Sequence, residues 1–485
     1  MPEWGTVSMI EASPTEAGTA YIALERHKLD DFAPYVFKTS DFGKTWAKLV
    51  NGLPANSYVH AVRVDPKRAS LLFAGTESGV FISYNDGAQW QPLQLNLPVS
   101  PVNDLVVKND DLVVATHGRS FWVLDDITPL RQYSNSIPQQ DAHLFTPAVA
   151  SHTLFEGSFF GPGLNSGKNP PAGAIIDYWL KTSLKKAEEK KAGANAAGSA
   201  PSEKADDAKQ SANADEADAP KITLDILDSS GKVIRHFPKK EDADEPDEGF
   251  GGRNRSAGML PAEAGLNRFV WNLQYEGASK VPHAPLWGGS TDGPKALPGK
   301  YQVRLTVLGK AYTEPLEIQA DPRLKITQAD LQKQFDLLIK IRDKVTETDD
   351  TINQIRDLRD QINAINKRLK NDARAKAVAD AGKSLDKKII EVEEALIQTK
   401  AKSGQDVLNF PIRLNNQLVA LGGVVGSADS APTQQSYEVF DMLSKSIDEQ
   451  LAKWKTIVAS EVKSYNDVIK QQEVPALILK QPSGQ

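Results

Sequence analysis

Up to residue 132 the apolar positions fall in short runs that alternate with polar ones or are continuous, are rich in Val, Ile, Phe and Tyr, and are closed by Gly, Pro, Asn or Asp. This is the pattern of strands joined by tight turns. Residues 7–12, 19–25 and 34–39 supply three strands and 46–50 a fourth; 60–65, 71–76, 79–84 and 90–94 repeat the order. A further set follows at 103–108, 111–117 and 120–126. Past Asp321-Pro322-Arg323 the period lengthens: Ile355, Leu358, Ile362, Ile365 and Leu369 step by 3, 4, 3 and 4, and Leu385, Ile389, Val392 and Leu396 by 4, 3 and 4. Both are helical seams. Thr327, with Asp330 three residues on, predicts a capped start to the first helix. A last helix is expected from about 433 to 470, with Phe440, Leu443, Ile447, Leu451, Trp454, Val458 and Tyr465 on one face. Charged residues fill the other faces, so these helices should pack antiparallel as a bundle.

Between these regions, 133–170 reads as an extended connector. Strands are then predicted at 174–180, 222–227, 233–237, 267–273, 301–307 and 311–318. Short alternating strands on hairpin turns argue for a β-sandwich. Residues 184–220 hold no aromatic side chain and almost no aliphatic one larger than Ala, so a disordered or frayed-helical insertion is expected there. A second acidic, Gly-rich loop covers 239–258.

Two turns set the register of the first region. Thr39-Ser40-Asp41-Phe42-Gly43-Lys44-Thr45-Trp46 returns as Ser83-Tyr84-Asn85-Asp86-Gly87-Ala88-Gln89-Trp90, with Asp41 and Asn85, Gly43 and Gly87, and Trp46 and Trp90 each 44 residues apart. Asp or Asn can bond downstream amides, Gly supplies a positive φ, and Trp tucks under the turn. Asp41, Gly43, Thr45, Trp46, Asn85, Gly87 and Trp90 are thus expected to be structural. A period near 44 with four short strands per repeat is the signature of a propeller blade.

The turn resembles the Asp-box, or BNR repeat, of sialidases and sortilin-type propellers. With Thr116-His117-Gly118-Arg119-Ser120-Phe121-Trp122 and the order of later segments, the chain resembles the C-terminal portion of bacterial sortilin-like propeller proteins often labelled glycosyl hydrolases. The middle strands resemble an immunoglobulin-like domain. The expected architecture is multidomain, β then α: a partial β-propeller of about three Asp-box blades over 1–132, a connector over 133–170, an immunoglobulin-like β-sandwich over 171–320, a C-terminal antiparallel helical bundle over 321–472 and a tail over 473–485. The resemblance implies a periplasmic or secreted protein.

Three blades, the last without a box, cannot close a ring that takes four to eight. The chain is therefore expected to be a piece of a larger propeller protein, with missing blades supplied in cis or by another chain and an apolar face exposed on the first blade. The alternative is that the three sheets simply pack on the later domains.

Composition narrows the chemistry. A net charge of −6 over 485 residues gives no basic footprint for nucleic acid, and no run suggests a membrane span. Zero cysteines exclude disulfides and thiol nucleophiles, and the N-terminal residues lack the pattern of a signal peptide. Seven scattered histidines without an HExxH pair leave a metal unsupported, and nothing points to a cofactor.

In a four-stranded meander the turns after the second strand share one face, opposite the Asp-boxes. Those loops, 25–31, 76–79 and 116–119, carry the candidates: Asp30, Asp31 and Glu77 as carboxylates for glycosidic chemistry, and His27, His117 and Arg119 as ligand-binding groups. The leading reading is a non-catalytic interaction protein that binds polypeptide or glycan. The alternative is the C-terminal piece of a glycoside hydrolase of the sialidase type. Trp179, Trp271 and Trp287 could stack on sugar, with core packing the better expectation.

Overall fold

The computed structural model describes residues 1–153, 169–184, 222–237, 260–369 and 375–474. Three antiparallel meanders come first, each strand bonded to the next in sequence. Meander one holds β1 (Thr6–Ala12), β2 (Ala20–Arg26), β3 (Asp31–Thr39) and β4 (Ala47–Lys48). Meander two holds β5 (Val59–Val64), β6 (Leu72–Thr76), β7 (Gly79–Ser83) and β8 (Gln91–Pro92); meander three holds β9 (Val102–Lys108), β10 (Asp111–Thr116) and β11 (Phe121–Leu124). The period-2 alternation decides how they stack. Met9, Tyr21, Ala23 and Val36 point from meander one onto Val59, Val62, Leu72 and Phe81 of meander two. The opposite side of meander two sends Phe73, Val80 and Ile82 onto Leu105, Leu112 and Val114 of meander three. The described residues form an arc of three sheets and no closed propeller.

The two boxes brace the arc as their chemistry requires. Asp41 accepts from the Thr45 amide at 2.9 Å and its hydroxyl at 2.7 Å, and Thr39 Oγ1 accepts from the Gly43 amide at 2.9 Å. Asn85 and Ser83 repeat this with the amides of Gln89 and Gly87, each at 2.9 Å. The tryptophans differ. Trp46 donates to its own turn, at the Gly43 carbonyl, whereas Trp90 is buried and donates across to the Leu49 carbonyl of meander one.

A short helix α1 (Thr128–Gln132) leads into two sheets. One orders β12 (Ala142–Leu144), β14 (Ala174–Leu180) and β17 (Gly265–Trp271); the other orders β13 (Ala150–His152), β19 (Lys310–Ala320), β18 (Gly299–Val307), β15 (Ile222–Leu227) and β16 (Val233–Phe237). Their inner faces share one apolar core that includes Tyr178, Trp271, Phe237 and Val303. Two of these strands come from the stretch expected to be connector. At three residues each, Ala-His-Leu and Ala-Ser-His are too short to show an alternation, and the bonds of the neighbouring strand make them strands. The insertion expected over 184–220, apart from Leu184, and the loop expected over 239–258 lie outside the described residues.

Arg268 of β17 ties the arc to the sandwich. It donates to the carbonyls of Asp125 at 2.7 Å and Asp126 at 2.9 Å while pairing with the buried Asp177 carboxylate at 2.9 Å. Burial pushes the Asp177 pKa up, and the guanidinium opposes that rise.

Five longer helices close the chain: α2 (Gln328–Arg368), α3 (Ala375–Leu396), α4 (Leu414–Val425), α5 (Gln434–Ile457) and α6 (Lys463–Gln471), which share one core. Thr327 caps α2 by accepting from the Asp330 amide at 3.1 Å. Leu385, Ile389, Val392 and Leu396 are all buried, as the seam requires. One position departs from the expected face: a π-helical turn at Val458–Val462 interrupts the helix expected over 433–470. Such a turn adds a residue to the helical repeat, so Ile457 is buried, Val458 is exposed, and the face resumes at Val462 and Tyr465. No described helix is long and apolar enough to cross a membrane.

Candidate functional site

On β2, alternation sends Tyr21, Ala23 and Glu25 toward meander two, so the end of the strand carries a carboxylate to the seam between the sheets. There β5 brings His60, and the turn after β6 brings Glu77. His60 Nε2 lies 2.9 Å from a Glu77 oxygen, and its Nδ1 lies 3.6 Å from a Glu25 oxygen. A carboxylate only accepts, so Nε2 donates to Glu77. The imidazole thus stands between the two carboxylates.

An aromatic floor completes the cluster. His27 stacks on Tyr58 with centroids 4.7 Å apart and planes 19° apart, His60 meets the same ring edge-on at 4.8 Å, and Phe32 lies 6.2 Å from it. His27 Nδ1 is 3.5 Å from a Glu25 oxygen and makes no hydrogen bond to it. The Tyr58 hydroxyl is pushed up to about 12, first by burial, then by its bond to Glu77 and the charges of Glu77 and Glu25. Phe32 and Leu29 stand exposed at the rim.

The structure gathers some of the expected residues and separates others. Glu77 and His27 are in this cluster. Asp31 lies beside it in a triad of its own, accepting from Tyr35 at 2.8 Å, the Ala33 amide at 3.1 Å and Arg26 at 2.9 Å. The Tyr35 hydrogen bond leads in holding its carboxyl below the usual range. Asp30 closes the turn His27–Leu29 in the left-handed region, φ 58°, and is exposed. His117 and Arg119 are exposed on the corresponding loop of meander three and share no bond with the cluster.

Glu25, Tyr58 and His60 were not among the expected residues. Glu25 and His60 sit at the ends of predicted strands and are separated by 35 positions, and neither stands out by composition. A signal was present in the loop lengths, which place the ends of β2 and β5 on the candidate face. Trp271 is core, with its indole donating to the Gln274 carbonyl, while Trp287 is exposed and Trp179 half-buried.

A recess of about 280 Å³ lies between the sandwich and α2, lined by Phe335, Leu338 and Ile341 together with Lys295 and Asp429. Asp429 is occupied by the buried His152 at 3.3 Å, and Lys295 donates to the Thr153 carbonyl. Among the described residues no group of three or more His, Asp or Glu side chains is arranged to hold a metal ion.

No family model matches this chain, and no curated protein matches it. Among solved structures it has slight likenesses to β-propeller proteins. An ancestral GH74 enzyme shares 24% identity over 24% of this chain and 14% of its own, with a TM-score of 0.20. The GH74 enzyme of Niastella koreensis shares 16% over 36% of this chain and 28% of its own, with a TM-score of 0.20. YCF48 bound to D1 peptide shares 10% over 36% of this chain and 51% of its own, with a TM-score of 0.19. The chain thus spans less than a third of the length of either of these GH74 enzymes, and the likenesses are too slight to assign an activity.

Proposed function

We propose that this chain is a non-catalytic interaction protein whose loop face, around Glu25, Tyr58, His60 and Glu77, binds polypeptide or glycan. One observation carries the reading: the space between the two carboxylates of the site is filled by the His60 imidazole, which contacts both. A glycosidase needs that space for the scissile bond and, where configuration inverts, for a water as well. Here the carboxylates brace a histidine and the stacked Tyr58–His27 pair, which leaves Phe32 and Leu29 exposed at the rim for contact without turnover. The glycoside hydrolase alternative requires the clamp to open.

The experiment pairs binding with hydrolysis. The full chain is applied to arrays of oligosaccharides and of synthetic peptides, and the same oligosaccharides are assayed for new reducing ends. Expected are binding that Phe32→Ala, which removes the exposed aromatic of the cluster, weakens at least about tenfold, the loss of about 1.4 kcal/mol usual for one aromatic contact, and no new reducing ends. Turnover that vanishes in Glu77→Gln with the fold retained would overturn the reading.

A further inference from the structure

Away from the loop face, the recess between the sandwich and α2 shares its lining between a half-buried charge and apolar side chains. The chain fixes both parts. An antiparallel bridge pairs Gln274 with Lys295, held by the Ala296 amide donating to the Leu273 carbonyl at 2.6 Å and the Tyr275 amide donating to the Pro294 carbonyl at 2.9 Å. Ala296 is buried in the sandwich core, so alternation turns Lys295 to the other side, where it lines the recess. From α2 the lining residues Leu331, Phe335, Leu338, Ile341 and Val345 step by 4, 3, 3 and 4, a single helical face. Phe335 and Leu338 are only half-buried, so apolar surface remains for a ligand to cover.

The other charged groups of the lining have partners. Asp429 contacts the buried His152 at 3.3 Å, Asp292 accepts from the Ser290 hydroxyl at 3.0 Å, and Arg342 pairs with Asp343 at 2.6 Å. Lys295 donates to the Thr153 carbonyl, and among the described residues no carboxylate forms an ion pair with its ammonium. An ammonium has three donors, and that carbonyl takes one. Burial pushes the Lys295 pKa down, with the charge of Asp429 opposing, so an anion in contact would relieve a cost the ammonium bears. We infer that the recess binds a small monocarboxylate with an apolar tail, its carboxylate on Lys295 and its tail along Phe335 and Leu338. One ammonium matches one negative charge, whereas the surplus charge of a phosphate dianion would stand against Asp429. A volume of about 280 Å³ is near the lower limit of ordinary ligand pockets, which suits a single alkyl chain.

Isothermal titration calorimetry of the full chain with octanoate tests this, with octanol and acetate as controls. Octanoate should saturate one site per chain. Octanol keeps the tail without the charge and should bind at least about tenfold more weakly, because a hydrogen bond to a charged group is lost. Acetate keeps the charge without the tail and should also bind at least about tenfold more weakly. Lys295→Met removes the charge and keeps most of the stem. It should remain folded by circular dichroism, since no apolar packing is lost, and should bind octanoate no better than octanol. Absence of saturable octanoate binding overturns the proposal, as does octanol or acetate that binds as tightly as octanoate, or a folded Lys295→Met with the wild-type affinity. The comparison of octanoate with octanol reads the wild type alone, so it decides the matter even if the variant does not fold.

Discussion

Meanders one and two are built from the same repeat, yet the sheet side turned away from the following meander, the rear side, is buried along its whole row in meander two and leaves Ile10 exposed beside the buried Ile22 and Phe37 in meander one. In meander two the indole of Trp90 is 1% exposed and bonds across to Leu49, and the rear row is buried. In meander one the corresponding Trp46 is half-buried and folds back onto its own Gly43, and Ile10 stands in solvent. The turn chemistry is the same in both: Asp41 and Asn85 each accept the amide four residues on. A box thus determines the turn by itself, while the destination of its tryptophan depends on whether a sheet lies behind it.

The comparison can be broken most directly by putting a charge on the rear row. Val62→Lys should cost about 3–5 kcal/mol, because the ammonium is buried without a partner. Ile10→Lys, at the same place in meander one, should stay within about 0.5 kcal/mol of the wild type. Urea unfolding at low protein concentration measures both, and equal losses would mean that the two rear sides are equally enclosed. Of similar size, Trp90→Ala should cost about 3–5 kcal/mol through lost packing. Trp46→Ala should cost less than half as much, since it removes a half-buried ring and one bond within its own turn.

The smallest expected effect is a pH dependence to which the enclosed seam contributes. Tyr58 lies there at about 12, above the ordinary tyrosine value near 10. Tyr21, which donates across the seam to Asp86, is also pushed up, by burial first. The folded chain therefore keeps these protons when the unfolded chain has lost them. The contribution of Tyr58 is intact below about pH 10 and falls away as the pH rises from about 10 to about 12. Thermal melts across that window should show a shallower decline for Tyr58→Phe than for the wild type; parallel declines would remove Tyr58 as the cause.

Much of the architecture was legible before any coordinates. The strand order of the three meanders, both box turns and the helical seams follow from periodicity and turn residues, which act over four to eight positions. The candidate site was legible only in part. The loop face and Glu77 came from counting strands, but Glu25 and His60 meet only once meander one packs on meander two. The strands at 142–144 and 150–152 were hidden for a related reason: each is set by the bonds of a neighbouring strand already in place.

The sequence by itself determined the repeat, the order of elements and the chemistry of each turn, because these rest on contacts between residues close along the chain. The tertiary structure decided which side of each sheet is covered, where His60 stands between two carboxylates, and that His152 meets Asp429 from 277 positions away. Those outcomes depend on the packing of whole sheets and helices against one another, and no local pattern of residues encodes that geometry.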